Sequence, residues 1–390
     1  MNQLLCNDLE RRYVNNIFLF LYSLLLYLPA TAIMPATTYY FISLCVFIYR
    51  VFFGGFNREF YFIAIFLLVS LFISLLAMIF ANTNFNYYNN FIPLQVSILC
   101  SLIISTSITK KIAYYIICFI LIECISGCIQ FLLGVKTFFP FVSVAIPEMG
   151  DAQGLLYYMR VYGFSENSSG FSGNVIIMIT FFSLFFIDQA RKIKILVFSF
   201  AFIALIVCFS RSGLVAYLLL FLVVFAKDFR VNHLKVLVPA FIVCIIASYY
   251  LVDWSSVFTQ LTRGRETVEL SGRDLIWSYY FQQISDHPIF GNFSLRSFLF
   301  IPPYGLMHAH NSYIMLLYVM GVLPLFFMII PIFYLALRKI SVFIFLIALL
   351  AYSLAQYFLF WGASLADVTF FAALVSYCSN NRVSPSSIST

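Results

Sequence analysis

Long apolar stretches separated by short polar joints make up most of this 390-residue chain. Each stretch is about 15 to 25 residues long, the length of helix that crosses a hydrocarbon core of about 30 Å. The stretches do not alternate apolar and polar residues, as the strands of an outer-membrane barrel do. The pattern predicts an all-α polytopic membrane protein with about 12 transmembrane helices. The predicted spans are residues 14–30, 36–53, 60–80, 91–108, 112–133, 171–187, 193–209, 212–226, 234–252, 311–336, 339–358 and 362–378.

The composition excludes a soluble protein of this length. Hydrophobic residues make up 63% of the chain and charged residues 9%, and the mean hydropathy is +0.99. No soluble fold of this size has enough interior to bury so much apolar surface. The nine cysteines lie in predicted spans or near the chain ends, so they predict neither a disulfide framework nor a zinc site.

The basic residues predict the orientation of the chain in the membrane. With the N-terminus in the cytoplasm, the inner joints hold fifteen of the 22 Lys and Arg residues, and every short inner joint holds at least one. Cytoplasmic joints carry such an excess in multi-pass proteins, so both termini are expected in the cytoplasm. The net charge of +7 then reflects topology, and no nucleic-acid partner is expected.

This topology gives one membrane domain, residues 1–380, and a Ser-rich tail, residues 381–390, that is predicted to be disordered. Two long polar loops, residues 134–170 and 253–310, then face outward. Arg11-Arg12 before the first span and Ala30-Thr31-Ala32 after it also fit a signal peptide. A retained first span is the preferred interpretation, because so many spans follow.

Six of the seven basic residues in the outer joints are arginines. The seven are Lys136, Arg160, Arg211, Arg263, Arg265, Arg273 and Arg296. Outer joints do not need positive charge for insertion, and a planar guanidinium fits phosphate and carboxylate groups. We therefore expect some of these arginines to bind an anion. The alternative is pairing with outer acids such as Glu148, Asp151 and Glu166.

Arg211 lies in a very short outer joint, Ser210-Arg211-Ser212-Gly213. The joint is so short that the arginine is expected at the membrane interface, where a charge is costly and often functional. The alternative is a structural role, in which the side chain extends to the phosphates of lipid headgroups.

The stretch Ser271-Gly272-Arg273-Asp274 is predicted to begin a helix that ends at about Asp286. Ser271 can cap it, and apolar residues recur along it at three-to-four spacing. The recurring residues are Ile276, Tyr279, Tyr280 and Ile284. The pattern predicts an amphipathic helix on the outer face, with Arg273 in its first turn. The alternative is a strut at the interface without a chemical role.

Three polar residues, His308, His310 and Asn311, stand at the start of the tenth predicted span. The N–H groups at a helix start favour an anion, and a histidine there could accept a proton from a sugar hydroxyl. The alternative is a structural histidine. A further segment, Arg160 to Asn167, closes the first long loop, and Gly163 and Gly170 permit tight turns there.

Taken in order, these motifs resemble the signature of the O-antigen polymerase and O-antigen ligase superfamily. The motifs are Arg160…Gly163…Asn167, then Ser210-Arg211-Ser212-Gly213, then Ser271-Gly272-Arg273…Trp277…Asp286-His287-Pro288…Gly291, then His310-Asn311 with Gly321. The resemblance covers residues 170–325, and the layout of spans extends it to the whole chain. Pro324 departs from the last position of the superfamily's histidine motif, which weakens an assignment as ligase.

The resemblance implies transfer of a glycan from an undecaprenyl pyrophosphate carrier at the periplasmic face of the bacterial inner membrane, with no cofactor and no metal ion. The implied partners are the undecaprenyl-pyrophosphate-linked oligosaccharide, membrane lipid, and a flippase and a chain-length regulator of the same pathway. In this scheme His310 activates the acceptor hydroxyl, with His308 as the alternative and Glu166 as a reserve base. Arg211 and Arg273 stabilise the departing pyrophosphate. Substrate contacts are expected for Arg160, Glu166, Asn167, Arg265, His308 and Asn311.

The preferred function is an O-antigen polymerase, which joins lipid-linked repeat units. The alternative is an O-antigen ligase, which uses the same chemistry to transfer the glycan to lipid A–core. A third interpretation is a transporter of lipid-linked glycans, which would need charged residues inside its spans. The candidates for such residues are Glu123 and Asp367, although Glu123 also fits a buried contact between helices.

Overall fold

The computed structural model describes residues 2–81, 91–143, 159–226, 273–303 and 305–375, which are mostly helical. The helices before residue 227 are α1 (Asn2–Tyr27), α2 (Thr38–Phe53), α3 (Arg58–Ala81), α4 (Leu94–Ser105), α5 (Lys110–Leu132), α6 (Ser168–Phe185), α7 (Arg191–Val207) and α8 (Arg211–Ala226). The elements after residue 272 are α9 (Arg273–Asp286), β1 (Leu299–Ile301), β2 (Gly305–Met307), α10 (Ser312–Met320), α11 (Val322–Arg338), α12 (Ile340–Phe343), α13 (Ile347–Ala355) and α14 (Leu365–Val375).

Within these ranges, α3, α5 and α6 are long and apolar enough to cross a membrane. The pair formed by α11 and the run Ile340–Ala355 would make a fourth span, although the two are bent by 101° relative to each other. The prediction of a helical membrane protein is confirmed, but the count of twelve spans is not. The ninth predicted span, residues 234–252, lies outside the described residues.

Two details of the predicted fold are wrong. The span expected at residues 311–336 is divided into α10 and α11 at Gly321. The expectation of only helices misses a short antiparallel pair, β1 and β2, in which Phe300 is paired with Leu306. Hydropathy shows neither feature, because a broken helix and a short strand can be as apolar as a continuous helix.

Gly321 ends α10 at a place where two backbone segments meet. Gly321 has a φ of 67° and Gly291 a φ of 52°. A Cβ atom at Gly321 would lie 2.4 Å from the Gly291 nitrogen, so this approach requires glycine at both positions. The Val322 N–H then donates a hydrogen bond to the Pro288 carbonyl at 2.8 Å. These contacts attach the residues that follow α9 to the break between α10 and α11.

α6 is the most enclosed of the three long helices. Of its apolar window, 83% is buried, compared with 50% for α5 and 28% for α3. Small residues allow this, since a Cβ atom at Gly173 would lie 2.6 Å from the Phe358 ring. α6 packs against α5, α7, α8, α13 and α14, so its first turn lies where early and late parts of the chain meet.

Candidate functional site

The first turns of α6 and α9 lie beside a cavity of about 640 Å³. Its wall also includes residues around Ala30, the loop between β2 and α10, and residues 352–366. A volume of this size is typical of a pocket for a small organic ligand. The charged, histidine and amide side chains of the wall are Arg160, Glu166, Asn167, Asn174, Arg273, His308, His310 and Gln356.

α9 fixes residues 307–311, which we call the histidine segment. The indole Nε1 of Trp277 donates a hydrogen bond to the Ala309 carbonyl at 2.6 Å. The hydroxyl of Tyr280, which is fully buried, donates to the Met307 carbonyl at 2.8 Å. The helix therefore does more than lie at an interface, because it supports the backbone on both sides of His308.

The same helix brings Arg273, its first residue, to the cavity wall. Ile276 and Tyr280 are buried, as the amphipathic pattern predicts, but Tyr279 is exposed. Ser271, the predicted cap, lies outside the described residues.

Asn311 caps α10 from the other end of the histidine segment. Its Oδ1 accepts hydrogen bonds from the N–H groups of Tyr313 at 2.9 Å and Ile314 at 3.1 Å. Its Nδ2 donates to the Leu354 carbonyl at 2.9 Å. These are the bonds of an N-cap, and they place Asn311 as a support of the histidine segment. Its expected contact with substrate stays a prediction.

His308 and His310 lie side by side, with ring centroids 4.0 Å apart. The Nδ1 of His308 accepts a hydrogen bond from the backbone N–H of His310 at 3.1 Å. This bond stabilises His310 at a φ of 50°, which few residues other than glycine adopt. Because Nδ1 is the acceptor, a neutral His308 carries its proton on Nε2. His308 is therefore placed to support its neighbour, and His310 is the better candidate for a general base.

Both imidazoles have depressed pKa values. Burial, with smaller contributions from His310 and Arg273, lowers the pKa of His308 to about 3. Burial, with a smaller contribution from Arg273, lowers the pKa of His310 to about 4. A hydrogen bond to the Gln356 side chain opposes that shift and orients the His310 ring. Both rings are therefore neutral at pH 7 and keep a lone pair.

Another part of the wall comes from residues 160–167, which we call the arginine segment. Arg160, Glu166 and Asn167 line the cavity. The Oδ1 of Asn167 accepts a hydrogen bond from the Gly170 N–H at 2.8 Å and caps α6. Gly163 has a φ of 59°, and a Cβ atom there would lie 2.7 Å from the Phe171 ring. The tight turn predicted at Gly163 is therefore confirmed, whereas the one predicted at Gly170 is wrong, because Gly170 lies in the first turn of α6.

The charges around the cavity favour an anionic ligand. Arg160 and Arg273 line the wall, and Glu166 is the carboxylate among the described lining residues. Behind them, burial and the charge of Arg160 lower the pKa of Lys136. With both histidines neutral, the wall carries a net positive charge, and two guanidinium groups can bind phosphate oxygens directly.

A model of the O-antigen ligase family matches residues 195–329. The matched range includes α8, α9 and the histidine segment. Over this segment the chain is similar to the O-antigen polymerase and ligase superfamily, and the match supports the resemblance found in the sequence. No curated protein matches the chain significantly. Members of the superfamily are glycosyltransferase-like membrane enzymes, and the match fits polymerases and ligases alike.

Much of the cavity wall lies outside the superfamily match, including the residues around Ala30, the arginine segment and the first turn of α6. The region between α13 and α14 also lies outside it and contributes Gln356, Tyr357 and Trp361. The rings of Tyr357 and Trp361 are 4.5 Å apart, and His308 lies edge-on to Trp361 at 5.5 Å. The sequence did not predict that these side chains line the site. The available signal was a glutamine and a tryptophan at the end of an otherwise apolar run.

Not every predicted site residue reaches the cavity. Arg211 is the first residue of α8 and does not line the wall, although its neighbour Ser210 interacts with Tyr352, which does. The catalytic role of Arg211 stays a prediction. Arg265 lies outside the described residues. Arg296 is buried, and its Nε has no hydrogen-bond partner within the described ranges.

Local hydrogen bonds hold the two carboxylates that were predicted inside spans. Asp367 accepts from the Phe360 N–H at 2.7 Å and from the Ser364 hydroxyl at 3.0 Å. Glu123 accepts from residues of the arginine segment. These bonds give both carboxylates a structural explanation, so the presence of Glu123 and Asp367 inside predicted spans no longer favours a transporter. Across the described parts of the chain, no three His, Cys, Asp or Glu side chains are grouped so that they could hold a metal ion.

Proposed function

We propose that the protein is an O-antigen polymerase, which joins undecaprenyl-pyrophosphate-linked oligosaccharide units at the periplasmic face of the bacterial inner membrane. The observation that carries this proposal is a single cavity lined by Arg160, Arg273 and a neutral His310. These three residues come from distant parts of the sequence. Together they supply an anion-binding wall and a proton acceptor, which are the two functions that transfer from a lipid diphosphate requires.

In the proposed reaction, His310 accepts the proton of a sugar hydroxyl on the acceptor unit. The hydroxyl oxygen attacks the anomeric carbon of the donor unit and forms the new glycosidic bond. The bond from that carbon to the diphosphate oxygen breaks, and the electron pair leaves with the lipid diphosphate. Attack from the side opposite the leaving group inverts the anomeric carbon. The proton on His310 then passes to solvent or to the departing diphosphate.

The arginines act on the leaving group. Negative charge grows on the diphosphate as the bond breaks, so Arg160 and Arg273 stabilise the transition state more than the bound substrate. Arg211, at the start of α8, stays a predicted third cation for the same group. Glu166 faces the same cavity and is the reserve candidate for the base.

The alternative function is an O-antigen ligase, since the matching family model covers both activities and does not distinguish them. Only the acceptor differs, because a ligase transfers the glycan to lipid A–core. Pro324, which departs from the superfamily's histidine motif, is buried in the first turn of α11, where its carbonyl accepts a hydrogen bond from Ser70 at 2.8 Å. The structure shows no chemical role for this departure, and it does not decide between the two functions.

Deletion of the gene in its native host separates polymerase from ligase. A polymerase deletion removes long chains but leaves single repeat units on lipid A–core, whereas a ligase deletion removes all O-antigen from the core. We expect the first pattern, with long chains restored by wild-type protein but not by the His310→Ala variant. Complete loss of O-antigen from the core would contradict the assignment as polymerase.

A further inference from the structure

Glu123 lies in the middle of α5 and is fully buried. A carboxylate is costly to bury unless hydrogen bonds compensate for its lost hydration. We infer that Glu123 is a positioning residue that fixes the arginine segment at the cavity, an inference that rests on the proposed function.

The contacts of Glu123 are those of a carboxylate that only accepts hydrogen bonds. Its Oε1 accepts from the Phe164 N–H at 3.1 Å and the Ser165 hydroxyl at 3.0 Å. Its Oε2 accepts from the Tyr27 hydroxyl at 2.8 Å and the Asn174 amide at 3.1 Å. Both oxygens therefore accept hydrogen bonds. An amide side chain, which has one N–H₂ group in place of an oxygen, cannot accept from all four donors.

Three of these four donors belong to the arginine segment or to α6, which follows it. Phe164 and Ser165 directly precede Glu166 and Asn167, which line the cavity. The bonds to Glu123 therefore set the position at which the chain turns into α6.

A second side chain of α5, Gln130, forms hydrogen bonds with the arginine segment at Gly163. The Nε2 of Gln130 donates to the Gly163 carbonyl at 2.8 Å, and its Oε1 accepts from the Gly163 N–H at 2.9 Å. Gly163 also approaches Glu123 so closely that a Cβ atom would lie 2.9 Å from Cγ of the glutamate. α5 thus holds the segment at two points. Of these two side chains, Glu123 is the one that bonds to Phe164 and Ser165, directly before Glu166 and Asn167.

A double-mutant cycle tests this role, with kcat/KM for chain growth measured on purified protein in lipid vesicles. We expect Glu123→Gln to lower kcat/KM by about tenfold or more, because its amide N–H would face a donor. Arg160→Gln should be costly in the wild-type background but change little, about twofold at most, in the Glu123→Gln background. Arg273→Gln should cost the same factor in both, because α9 carries it independently.

Ser126→Ala is the matched control on the same helix. Ser126 is buried, and its hydroxyl has no hydrogen-bond partner among the described residues, so the substitution removes volume but no bond. We expect it to retain wild-type kcat/KM and melting temperature. If Glu123→Gln does not fold, Ser165→Ala replaces it in the cycle, since it removes one donor to Glu123 and leaves the carboxylate in place.

The outcomes separate this inference from the proposed function. Equal losses for Arg160→Gln in both backgrounds would overturn the positioning role, as would wild-type activity of Glu123→Gln. Wild-type activity of Arg160→Gln and Arg273→Gln as single variants would instead contradict the proposed function.

Discussion

The two histidines at the cavity differ in what their nitrogen atoms do. His308 uses Nδ1 to accept the backbone N–H of His310, whereas the His310 ring bonds to Gln356. Sequence alone could name both residues, since they stand together before an apolar span. The resemblance to the superfamily pointed to His310, but the physical reason for the difference is a hydrogen bond that only the folded backbone creates.

Substitution of each histidine should therefore give different results. We expect His310→Ala to lower kcat by about 10²- to 10⁴-fold, the usual contribution of a general base. His308→Asn should retain most activity, because the amide oxygen can still accept the backbone N–H of His310. Single-turnover rates with lipid-linked units provide the measurement. Equal losses in the two variants would contradict the assignment of the base to His310.

The depressed pKa of His310 predicts an unusual pH dependence. In the free protein the ring is protonated only below about pH 4, so kcat/KM should fall only in strongly acidic solution. A diphosphate bound to Arg273 offsets the positive charge that helps to lower this pKa. The acidic limb of kcat, which reports the substrate complex, should therefore lie at higher pH than the limb of kcat/KM.

Arg273→Gln provides the control for the pH experiment. On acidification, the residual kcat/KM of this variant should begin to fall at a higher pH than that of wild type. The reason is that one cause of the low pKa of His310 is removed. An acidic limb that does not move would show that Arg273 does not act on this histidine.

At the level of elements, the sequence could locate α9 but not its task. The three-to-four spacing indicates a helix with one apolar face, and Ile276 and Tyr280 are indeed buried. The bonds from Trp277 and Tyr280 to the histidine segment join residues about thirty positions apart, and no periodicity indicates them. The structure explains two glycines of the superfamily motif, because Gly291 and Gly321 allow two backbone segments to approach each other closely.

Removal of one bond from α9 should lower activity without unfolding the protein. We expect Trp277→Phe, which loses the 2.6 Å bond to the Ala309 carbonyl, to lower kcat by about tenfold because the histidines shift. Ser278→Ala is the control, since Ser278 is exposed and bonds only within α9, to Leu275. Wild-type kcat in Trp277→Phe would show that α9 is only a strut.

The contact between Gly291 and Gly321 predicts a large difference between two glycine substitutions. Gly305 and Gly321 both have positive φ, but a Cβ atom at Gly305 has nothing within 4 Å. Gly305→Ala should cost about 1–2 kcal/mol from backbone strain alone. Gly321→Ala should cost roughly 1–3 kcal/mol more, because the new atom meets the backbone of Gly291. Melting temperatures in detergent compare the two, and equal shifts would contradict the close contact.

For the whole molecule, hydropathy predicted where most helices lie, because a membrane core demands long apolar runs with internally satisfied backbones. It did not predict the bend of 101° after α11 or the break at Gly321, since bent and straight helices have the same composition. That the arginine segment and the histidine segment line one cavity was equally hidden. It depends on how α5, α6 and α9 pack and on polar bonds between distant residues, such as those of Glu123 and Trp277.

Chain growth by purified protein in vesicles that contain only lipid-linked repeat units tests the account most directly. Wild-type protein should convert the units into a ladder of oligomers, each longer than the last by one unit. The His310→Ala variant, folded to the same melting temperature, should leave single units. Unchanged chain growth by that variant, or no ladder from the wild-type protein, would contradict the account.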